Sequence, residues 1–204
     1  MMRPFLGSLV AGLALAAGLL APAADAASTC GDRVTSRPFA AWADPALYFL
    51  APNGGFEAGS TAWTLGGGAK VVAGNEPFYV TSASDTSSLL IPSGGWAQTQ
   101  PFCIDGDELT VRFFARNTGS VLSQLAVSAT IRTTLLGVTA ETTLPLGAVV
   151  GTTSTWQPSL ATIVGLSVNQ LLGGMTTVML RFTPLLFGGA WQVDDVYVDP
   201  FKDW

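Results

Sequence analysis

The chain has 204 residues, of which 49% are hydrophobic and 11% charged, and its 14 acidic and 9 basic side chains give a net charge of −5 at pH 7. The absence of histidine excludes catalytic centres that use an imidazole base, and two cysteines are too few for the four-ligand zinc sites of fingers and ribbons. So few charges also argue against a polyanion-binding surface, so we expect no nucleic-acid partner.

The first 26 residues are predicted to be a secretory signal peptide. Arg3 supplies the positive charge, residues 6–20 form an apolar stretch, and Ala24 and Ala26 have the spacing of a cleavage site. The alternative is an uncleaved membrane anchor, but an apolar stretch of about 15 residues is short of the roughly 20 that a span requires. We therefore expect a secreted protein, extracellular or at the cell surface, with no membrane span after cleavage.

Cys30 and Cys103 are predicted to form a disulfide bond. They are the only two cysteines, and an exported chain folds in an oxidising compartment. The bond would close a loop of 73 residues, to which the chain-entropy model assigns roughly 4 kcal/mol. The alternative is two free thiols, which export disfavours. We expect the bond to tie an irregular segment, residues 27–45, to a sandwich domain over residues 46–204.

Short β-strands are predicted for most of the remaining chain. Apolar and polar residues alternate with a period of two in residues 109–114, 125–132 and 178–183. Further strand candidates are residues 46–50, 62–65, 70–73, 89–91, 97–104, 139–144, 160–164 and 191–198. Turn signals rich in Gly, Pro and Asn separate them, and a helical turn is the alternative for residues 163–172. About ten strands with regular turns favour an all-β fold, an antiparallel β-sandwich.

Motifs near both ends of this domain resemble those of a known family. An N-G-G-F-E motif occupies residues 53–57 and is followed by Trp63, a Trp-Gln pair stands at residues 156–157, and residues 191–198 read W-Q-V-D-D-V-Y-V. This order is similar to that of the CenC-type carbohydrate-binding modules, over residues 46–200. The resemblance implies a jelly roll of the galactose-binding-like superfamily that binds glycans.

The resemblance also implies one structural calcium ion. In the family, the glutamate of the first motif and an aspartate of the last motif contribute ligands, which here are Glu57 and Asp194 or Asp195. Calcium takes six to eight oxygen ligands, and clustered carboxylates repel one another without a cation. Alternation places Asp194 on the same face as Val196 and Val198, where an inward carboxylate needs a partner. The alternative is that both aspartates lie at a solvated strand end.

No catalytic motif is evident in the sequence. It contains no G-x-S-x-G elbow and no glycine-rich phosphate loop. The acidic residues at positions 105–108 are interpreted as a solvated turn rather than as a glycosidase pair. We therefore expect a protein that is not an enzyme.

Among the tryptophans, Trp96 is the first candidate for contact with a sugar. Trp63, Trp156 and Trp191 occupy family positions that usually belong to the core. Trp96 follows two glycines and precedes Gln98, so we predict a stacking platform at a strand edge.

A second candidate surface follows from strand alternation. Arg112, Phe114 and Arg116 lie opposite the apolar side of their strand, and an exposed phenylalanine between arginines suggests sugar stacking. Arg132 and Arg181 have the same polar parity on their strands, so one shared sheet would bring all these side chains to one face. The alternative is ordinary solvated strand positions.

The predicted function is non-catalytic binding of a poly- or oligosaccharide or of a cell-envelope glycan. The alternative is a structural or adhesive extracellular surface protein that uses the same sandwich as a scaffold. Exposed aromatic side chains beside polar groups would favour binding, whereas a threonine- and serine-rich surface over buried tryptophans would favour the scaffold.

Overall fold

The computed structural model describes residues 30–31, 33–104, 110–135, 138–150, 154–163, 175–185 and 189–199. These residues form two antiparallel β-sheets packed as a sandwich, which confirms the predicted all-β fold. The predicted signal peptide, the acidic turn at residues 105–108 and most of the ambiguous stretch at residues 163–172 lie outside the described residues. None of the described segments is a helix of the length and apolarity needed to cross a membrane.

Fourteen strands occur in the described part of the chain. Sheet A contains β1 (Thr35–Ser36), β2 (Tyr48–Leu50), β4 (Lys70–Ala73), β5 (Ser87–Ile91), β8 (Thr110–Asn117), β11 (Gln157–Pro158), β12 (Thr162–Ile163) and β14 (Trp191–Asp199). Sheet B contains β3 (Trp63–Gly66), β6 (Trp96–Thr99), β7 (Phe102–Ile104), β9 (Gln124–Leu135), β10 (Val138–Val150) and β13 (Met175–Leu185). A 3₁₀ turn, Ala40–Trp42, precedes β2. The chain passes repeatedly between the sheets, as in a jelly roll.

The strand order places β14 inside sheet A and β13 inside sheet B. Sheet A has the order β1-β2-β14-β5-β4, and β8 pairs with β14, β11 and β12. Sheet B has the order β10-β9-β13-β6-β3, with β7 paired to β13. All of these pairings are antiparallel, so alternate residues of each strand face either the interior or the outside of the sandwich.

Prolines explain two differences between the predicted and the observed strands. The predicted strand 97–104 is split into β6 and β7, because Pro101 has no N–H for the ladder. Strand β10 extends past Pro145 because it is the terminal strand of sheet B and its register shifts between Pro145 and Gly147. The two-residue strands β1 and β11 were not predicted, since such short pairings leave no alternation in the sequence.

The main core lies between the two sheets. Its buried residues come from alternate positions, as the period of two predicted: Val111, Phe113 and Ala115 from β8, Leu125, Val127, Ala129 and Ile131 from β9, and Val178, Leu180 and Phe182 from β13. Trp63 and Trp191 are also in this core. Both predictions of a core position for these tryptophans agree with the structure.

A second apolar cluster covers the outer face of sheet A. This outer aromatic cluster consists of the buried residues Phe39, Tyr48, Phe114, Trp156 and Tyr197. The half-buried Trp42 packs against it from the 3₁₀ turn. Residues 37–46 and the loop of residues 75–81 therefore form a layer outside sheet A, which the strand pattern alone does not predict.

The predicted disulfide bond between Cys30 and Cys103 is confirmed. The two Cα atoms lie 5.5 Å apart. Cys103 belongs to β7 of sheet B, whereas Cys30 precedes β1 of sheet A, so the bond links the start of the described chain to the opposite sheet. Arg33 strengthens this junction, because its guanidinium donates to the backbone oxygen of Cys103 and lies 4.0 Å from the ring centroid of Phe49.

Candidate functional site

The outer face of sheet B carries a row of polar side chains that crosses four strands and ends at a proline on a fifth. Thr64 of β3 pairs with Gln98 of β6, which pairs with Arg181 of β13. Arg181 pairs in turn with Ser128 of β9, and Ser128 pairs with Pro145 of β10. Residues on either side of this row belong to the core, so the row faces away from the sandwich.

Trp96 lies beside this row and makes two close contacts. Its indole lies so near the backbone of β3 that a Cβ atom added to Gly66 would be 2.3 Å from Cε2 of the ring. Glycine at position 66 therefore leaves the space that the indole occupies. The guanidinium carbon of Arg181 lies over the same ring, 4.1 Å from its centroid. Trp96 is half-buried as a result.

Gln98 joins this pair into one group. Its Oε1 atom accepts a hydrogen bond of 3.3 Å from Nη1 of Arg181, and its Nε2 atom lies 3.5 Å from Sδ of Met179. We call Trp96, Gln98 and Arg181 the tryptophan–arginine group. The sequence predicted the first two as ligand-binding residues, and the structure adds Arg181, which covers part of the ring that we expected to be a bare platform.

The remaining predicted ligand-binding residues lie on the opposite outer face, in β8 of sheet A. The prediction that Phe114 is exposed there is wrong, because its side chain is completely buried. It stacks on Phe39 with ring centroids 5.3 Å apart, and Trp42 and Phe78 lie over it at 5.2 Å and 5.5 Å. The strand parity was correct, but residues 37–46 and 75–81 cover the face that it defines.

Arg112 is equally unsuited to contact a ligand. It is 7% exposed, forms an ion pair with Asp44, and donates from Nε and Nη2 to the backbone oxygen of Ser159 at 3.1 Å and 2.9 Å. Its guanidinium also lies 4.2 Å from the ring centroid of Phe39. Arg112 therefore holds the covering layer on sheet A, and its predicted exposure is wrong.

Arg116 is half-buried at the end of the same strand. Its Nε atom donates to Oε1 of Gln192, and its guanidinium carbon lies 5.2 Å from the ring centroid of Trp156. It lines a cavity of about 430 Å³ between β8, β10 and residues 157–161. Arg112 and Arg116 thus lie on sheet A while Arg132 and Arg181 lie on sheet B, so the predicted single arginine-rich face is wrong.

A buried group of carboxylates lies at the bulge of β14. The register of β14 shifts between Asp194 and Tyr197, and Asp195 has a φ of 49°, in the left-handed region. Val193 and Val196 both face the main core, so the bulge resets the alternation between them. The predicted shared face of Asp194 and Val196 is therefore wrong, although both aspartates are indeed fully buried.

Backbone donors satisfy most oxygens of this group. Asp194 accepts from the backbone N–H of Asp195 at 2.9 Å and from that of Glu76 at 3.0 Å. The fully buried Glu76 accepts from the backbone N–H groups of Phe78 and Val80. These bonds hold the loop of residues 75–81 against β14.

Two buried carboxylate oxygens, one on Asp195 and one on Asp85, lack a hydrogen-bond partner among the described residues. Oδ1 of Asp195 accepts from Oγ1 of Thr81 at 2.8 Å, but Oδ2 is buried and makes no hydrogen bond among the described residues. Oδ2 of Asp85 is also buried and makes no hydrogen bond with the described residues, and the residue is 8% exposed. A buried carboxylate oxygen without a donor or a cation is costly, so these two atoms mark a place where a positive charge would be stabilised.

The pKa values of Asp194 and Asp195 are raised above the ordinary value for this side chain. Burial, reinforced by the charge of Asp195, raises the pKa of Asp194 to about 9. Burial raises the pKa of Asp195 to about 7. The hydrogen bond from Thr81 opposes this shift, whereas the charges of Glu76 and Asp85 add to it. In each case burial disfavours the charged form of the carboxyl group, and the neighbouring carboxylates add to this effect.

The residues fit the implied calcium ion in part. Calcium prefers oxygen ligands, which Asp195 and Asp85 supply. Glu57 is exposed and accepts from the backbone N–H groups of Thr86 and Ser87 at 2.8 Å and 2.7 Å. The described residues contain no group of three acidic, histidine or cysteine side chains arranged around one point. Asp195 is thus the one predicted ligand with an oxygen that accepts no hydrogen bond.

Comparison with known proteins finds similarity among solved structures. No protein-family model matches the sequence, and no curated protein matches it significantly. Among solved structures, the chain is similar to TmCBM61 in complex with β-1,4-galactotriose, at 15% identity and a TM-score of 0.44, over 73% of this chain and 96% of that chain. It is also similar to the xylan-binding domain from CBM 22, at 14% identity and a TM-score of 0.44, over 76% of this chain and 97% of that chain.

A third similar structure contains an enzyme. It is the Clostridium thermocellum N-terminal endo-1,4-β-D-xylanase 10B, with CBM22-1 and GH10 modules complexed with xylohexaose. The match has 14% identity and a TM-score of 0.49, and it covers 71% of this chain but 27% of that chain. By their descriptions, these three structures are carbohydrate-binding modules, alone or within an enzyme chain.

Proposed function

We propose that this chain is a non-catalytic carbohydrate-binding module that binds a poly- or oligosaccharide on the outer face of sheet B. The tryptophan–arginine group is the observation that carries the proposal. An indole can contact the apolar face of a pyranose, while the amide of Gln98 and the guanidinium of Arg181 can bond its hydroxyl groups. The row from Thr64 to Ser128 adds further hydroxyl and amide groups across the sheet.

A structural role is the second candidate, and one observation favours it. On the β9–β10 hairpin, threonine hydroxyls pair with each other across the strands, at 2.8 Å for Thr130 and Thr143 and 2.9 Å for Thr134 and Thr139. Hydroxyl groups that already hydrogen-bond to one another have fewer free donors and acceptors for a ligand. That part of the face suits a scaffold, whereas the part around Trp96 suits a binding site.

Trp96→Ala should abolish or strongly weaken glycan binding. An aromatic contact at the centre of a site is typically worth about 2 kcal/mol or more, which is roughly a 30-fold increase in Kd. A glycan array would identify a ligand, and isothermal titration calorimetry would compare the variant with the parent protein. Tyr79→Ala is the matched control, because this tyrosine is 50% exposed on a loop at sheet A and should leave affinity unchanged. A parent protein that binds no glycan would support the scaffold instead.

We also propose that one calcium ion lies at the buried carboxylates. Asp195 and Asp85 would hold it through the oxygens that lack partners among the described residues. Glu57 would lie nearby, because it accepts from the backbone N–H groups of the two residues that directly follow Asp85. When bound, the ion would neutralise the mutual repulsion of the carboxylates. It would thereby secure the loop of residues 75–81 and the bulge of β14.

Removal of calcium should therefore lower the melting temperature. A ligand present at 100 times its Kd stabilises the native state by about 2.7 kcal/mol. Differential scanning calorimetry with excess chelator, and then with calcium restored, measures the shift. The melting temperature of Asp195→Asn should change neither with chelator nor with calcium. In chelator this variant should be at least as stable as the parent protein, because the substitution removes a buried charge. Identical melting curves of the parent in chelator and in calcium would contradict the site.

Export of the chain is part of the same proposal. A disulfide bond persists in oxidising compartments and is rare in the cytosol, so the Cys30–Cys103 bond supports a secreted or cell-surface location. Extracellular polysaccharides and cell-envelope glycans are the ligands available there. Mass spectrometry of the exported protein should find its first residue at position 27.

A further inference from the structure

Arg181 differs from the other arginine on the outer face of sheet B. Arg132 forms an ion pair with Glu141, with Nη2 2.6 Å from Oε2. Arg181 has no carboxylate partner among the described residues. Its contacts there are the hydrogen bond to Gln98 and the stack on Trp96. It therefore carries a positive charge that none of the described residues neutralises.

The acidic residues are distributed unevenly between the two sides of the sandwich. Of the described acidic residues, only Glu141 belongs to sheet B, and Arg132 neutralises it. All the others lie in sheet A or in segments that contact or adjoin it: Asp44, Glu57, Glu76, Asp85, Asp194, Asp195 and Asp199. The protein has a net charge of −5, yet among the described residues Arg181 is the charged side chain of sheet B that has no partner of opposite charge.

The guanidinium is held in one orientation before any ligand arrives. Its Cζ atom lies over the Trp96 ring, 4.1 Å from the centroid, and Nη1 donates a hydrogen bond of 3.3 Å to Gln98, so two contacts restrain the group. The close approach of Trp96 to Gly66 fixes the indole in turn. Nε and Nη2 make no hydrogen bond with the described residues, so this edge of the guanidinium can donate two hydrogen bonds to a ligand. A guanidinium fixed in this way loses little side-chain entropy when it binds an anion.

We propose that this face selects glycans that carry a carboxylate, so that the preferred ligand contains a uronic acid. The carboxylate would receive two parallel hydrogen bonds from the free edge of Arg181, the geometry in which guanidinium and carboxylate match. The sugar ring would lie against the part of Trp96 that Arg181 leaves open. This inference rests on the proposed function, since it specifies the class of glycan that the same site binds.

The test compares a uronic acid oligosaccharide with its carboxyl-reduced form, which has the same linkages and ring shapes but no charge. Isothermal titration calorimetry should give an affinity about tenfold to hundredfold higher for the acidic form, the range expected of charge-assisted hydrogen bonds. The preference should shrink as salt concentration rises, because the site is exposed to solvent. A sulfated oligosaccharide of similar length should bind more weakly than the uronate, because sulfate oxygens are weaker hydrogen-bond acceptors than carboxylate oxygens.

Variants assign the effect to Arg181. Arg181→Gln should bind both forms equally, and Arg181→Lys should keep a smaller preference, because lysine retains the charge without the fork. Arg132→Gln is the matched control on the same face and should keep the full preference. Unfolding midpoints of all three should be measured alongside, and the lysine variant serves if the glutamine variant does not fold.

Each contrary result has a separate meaning. Equal affinity of the parent protein for the acidic and reduced forms would overturn this inference and leave glycan binding intact. If both Arg181 variants keep the full preference for the acidic form, Arg181 is not its cause. If the sulfated form binds more tightly than the uronate, the ligand is not selected for its carboxylate. Absence of binding to every glycan would overturn the proposed function itself.

Discussion

Phe114→Ala should lower the free energy of unfolding by about 3–5 kcal/mol, the cost typical of a fully buried phenylalanine. The side chain lies at the centre of the outer aromatic cluster, between Phe39, Trp42 and Phe78. Its removal would leave a cavity that these rigid rings cannot easily fill. Urea denaturation followed by tryptophan fluorescence measures the change.

Phe78→Ala is the control for this prediction. Phe78 contacts Phe114 from the outside and is 44% exposed, so its removal should cost less than half as much. A loss within about 1 kcal/mol for Phe114→Ala would mean that the outer face of sheet A is open to solvent. It would then remain available for sugar stacking, as the sequence suggested.

Removal of the disulfide bond should have an effect of similar size. Replacement of both cysteines by serine, Cys30→Ser with Cys103→Ser, should destabilise the protein by roughly 4 kcal/mol, because the unfolded chain regains the entropy of a 73-residue loop. The double variant avoids a lone free thiol. Its denaturation midpoint should match that of the reduced parent protein.

The same experiment includes a check on the bond itself. Thiol titration of the denatured, unreduced protein should find no free thiol. Equal stability of the oxidised and reduced parent protein would show that the bond contributes nothing. In that case the contacts of Arg33 with Cys103 and Phe49 would be sufficient to hold the first described segment in place.

Strand positions and core residues could be predicted from the sequence because they depend on a local pattern. Val111 and Phe113 alternate with Arg112 and Phe114, and this alternation correctly separated the main core from the other side of the sheet. The disulfide bond followed from the cysteine count together with the predicted export to an oxidising compartment. In each case the relevant information lies within a few neighbouring residues or in the composition.

Whether the outer face of each sheet is exposed to solvent could not be predicted from strand alternation, because exposure depends on which other segments cover the face. Phe114 is buried by residues 37–46 and 75–81, which lie far from it in the sequence and form almost no regular structure. An alternation of apolar and polar residues describes a strand and carries no information on a layer outside the sheet.

The candidate sites depended on strand order and on one irregularity. Arg181 reaches Trp96 because β13 and β6 are neighbours, and a distance of 85 positions in the sequence gives no sign of it. The bulge at Asp195 reverses the alternation within β14, so the faces of Asp194 and Val196 were assigned incorrectly. Asp85 and Glu76 lie in loop segments without periodicity, and no sequence signal marked them as partners of Asp195.

The place of β14 in sheet A has a consequence for the order of folding. It is the last described strand, and it alone joins three separate pieces of the sheet: β1 with β2, β4 with β5, and β8 with β11 and β12. During synthesis these pieces leave the ribosome before the strand that connects them. Sheet A should therefore remain unassembled until β14 has emerged, and this delay would suit the export that we predict from residues 1–26.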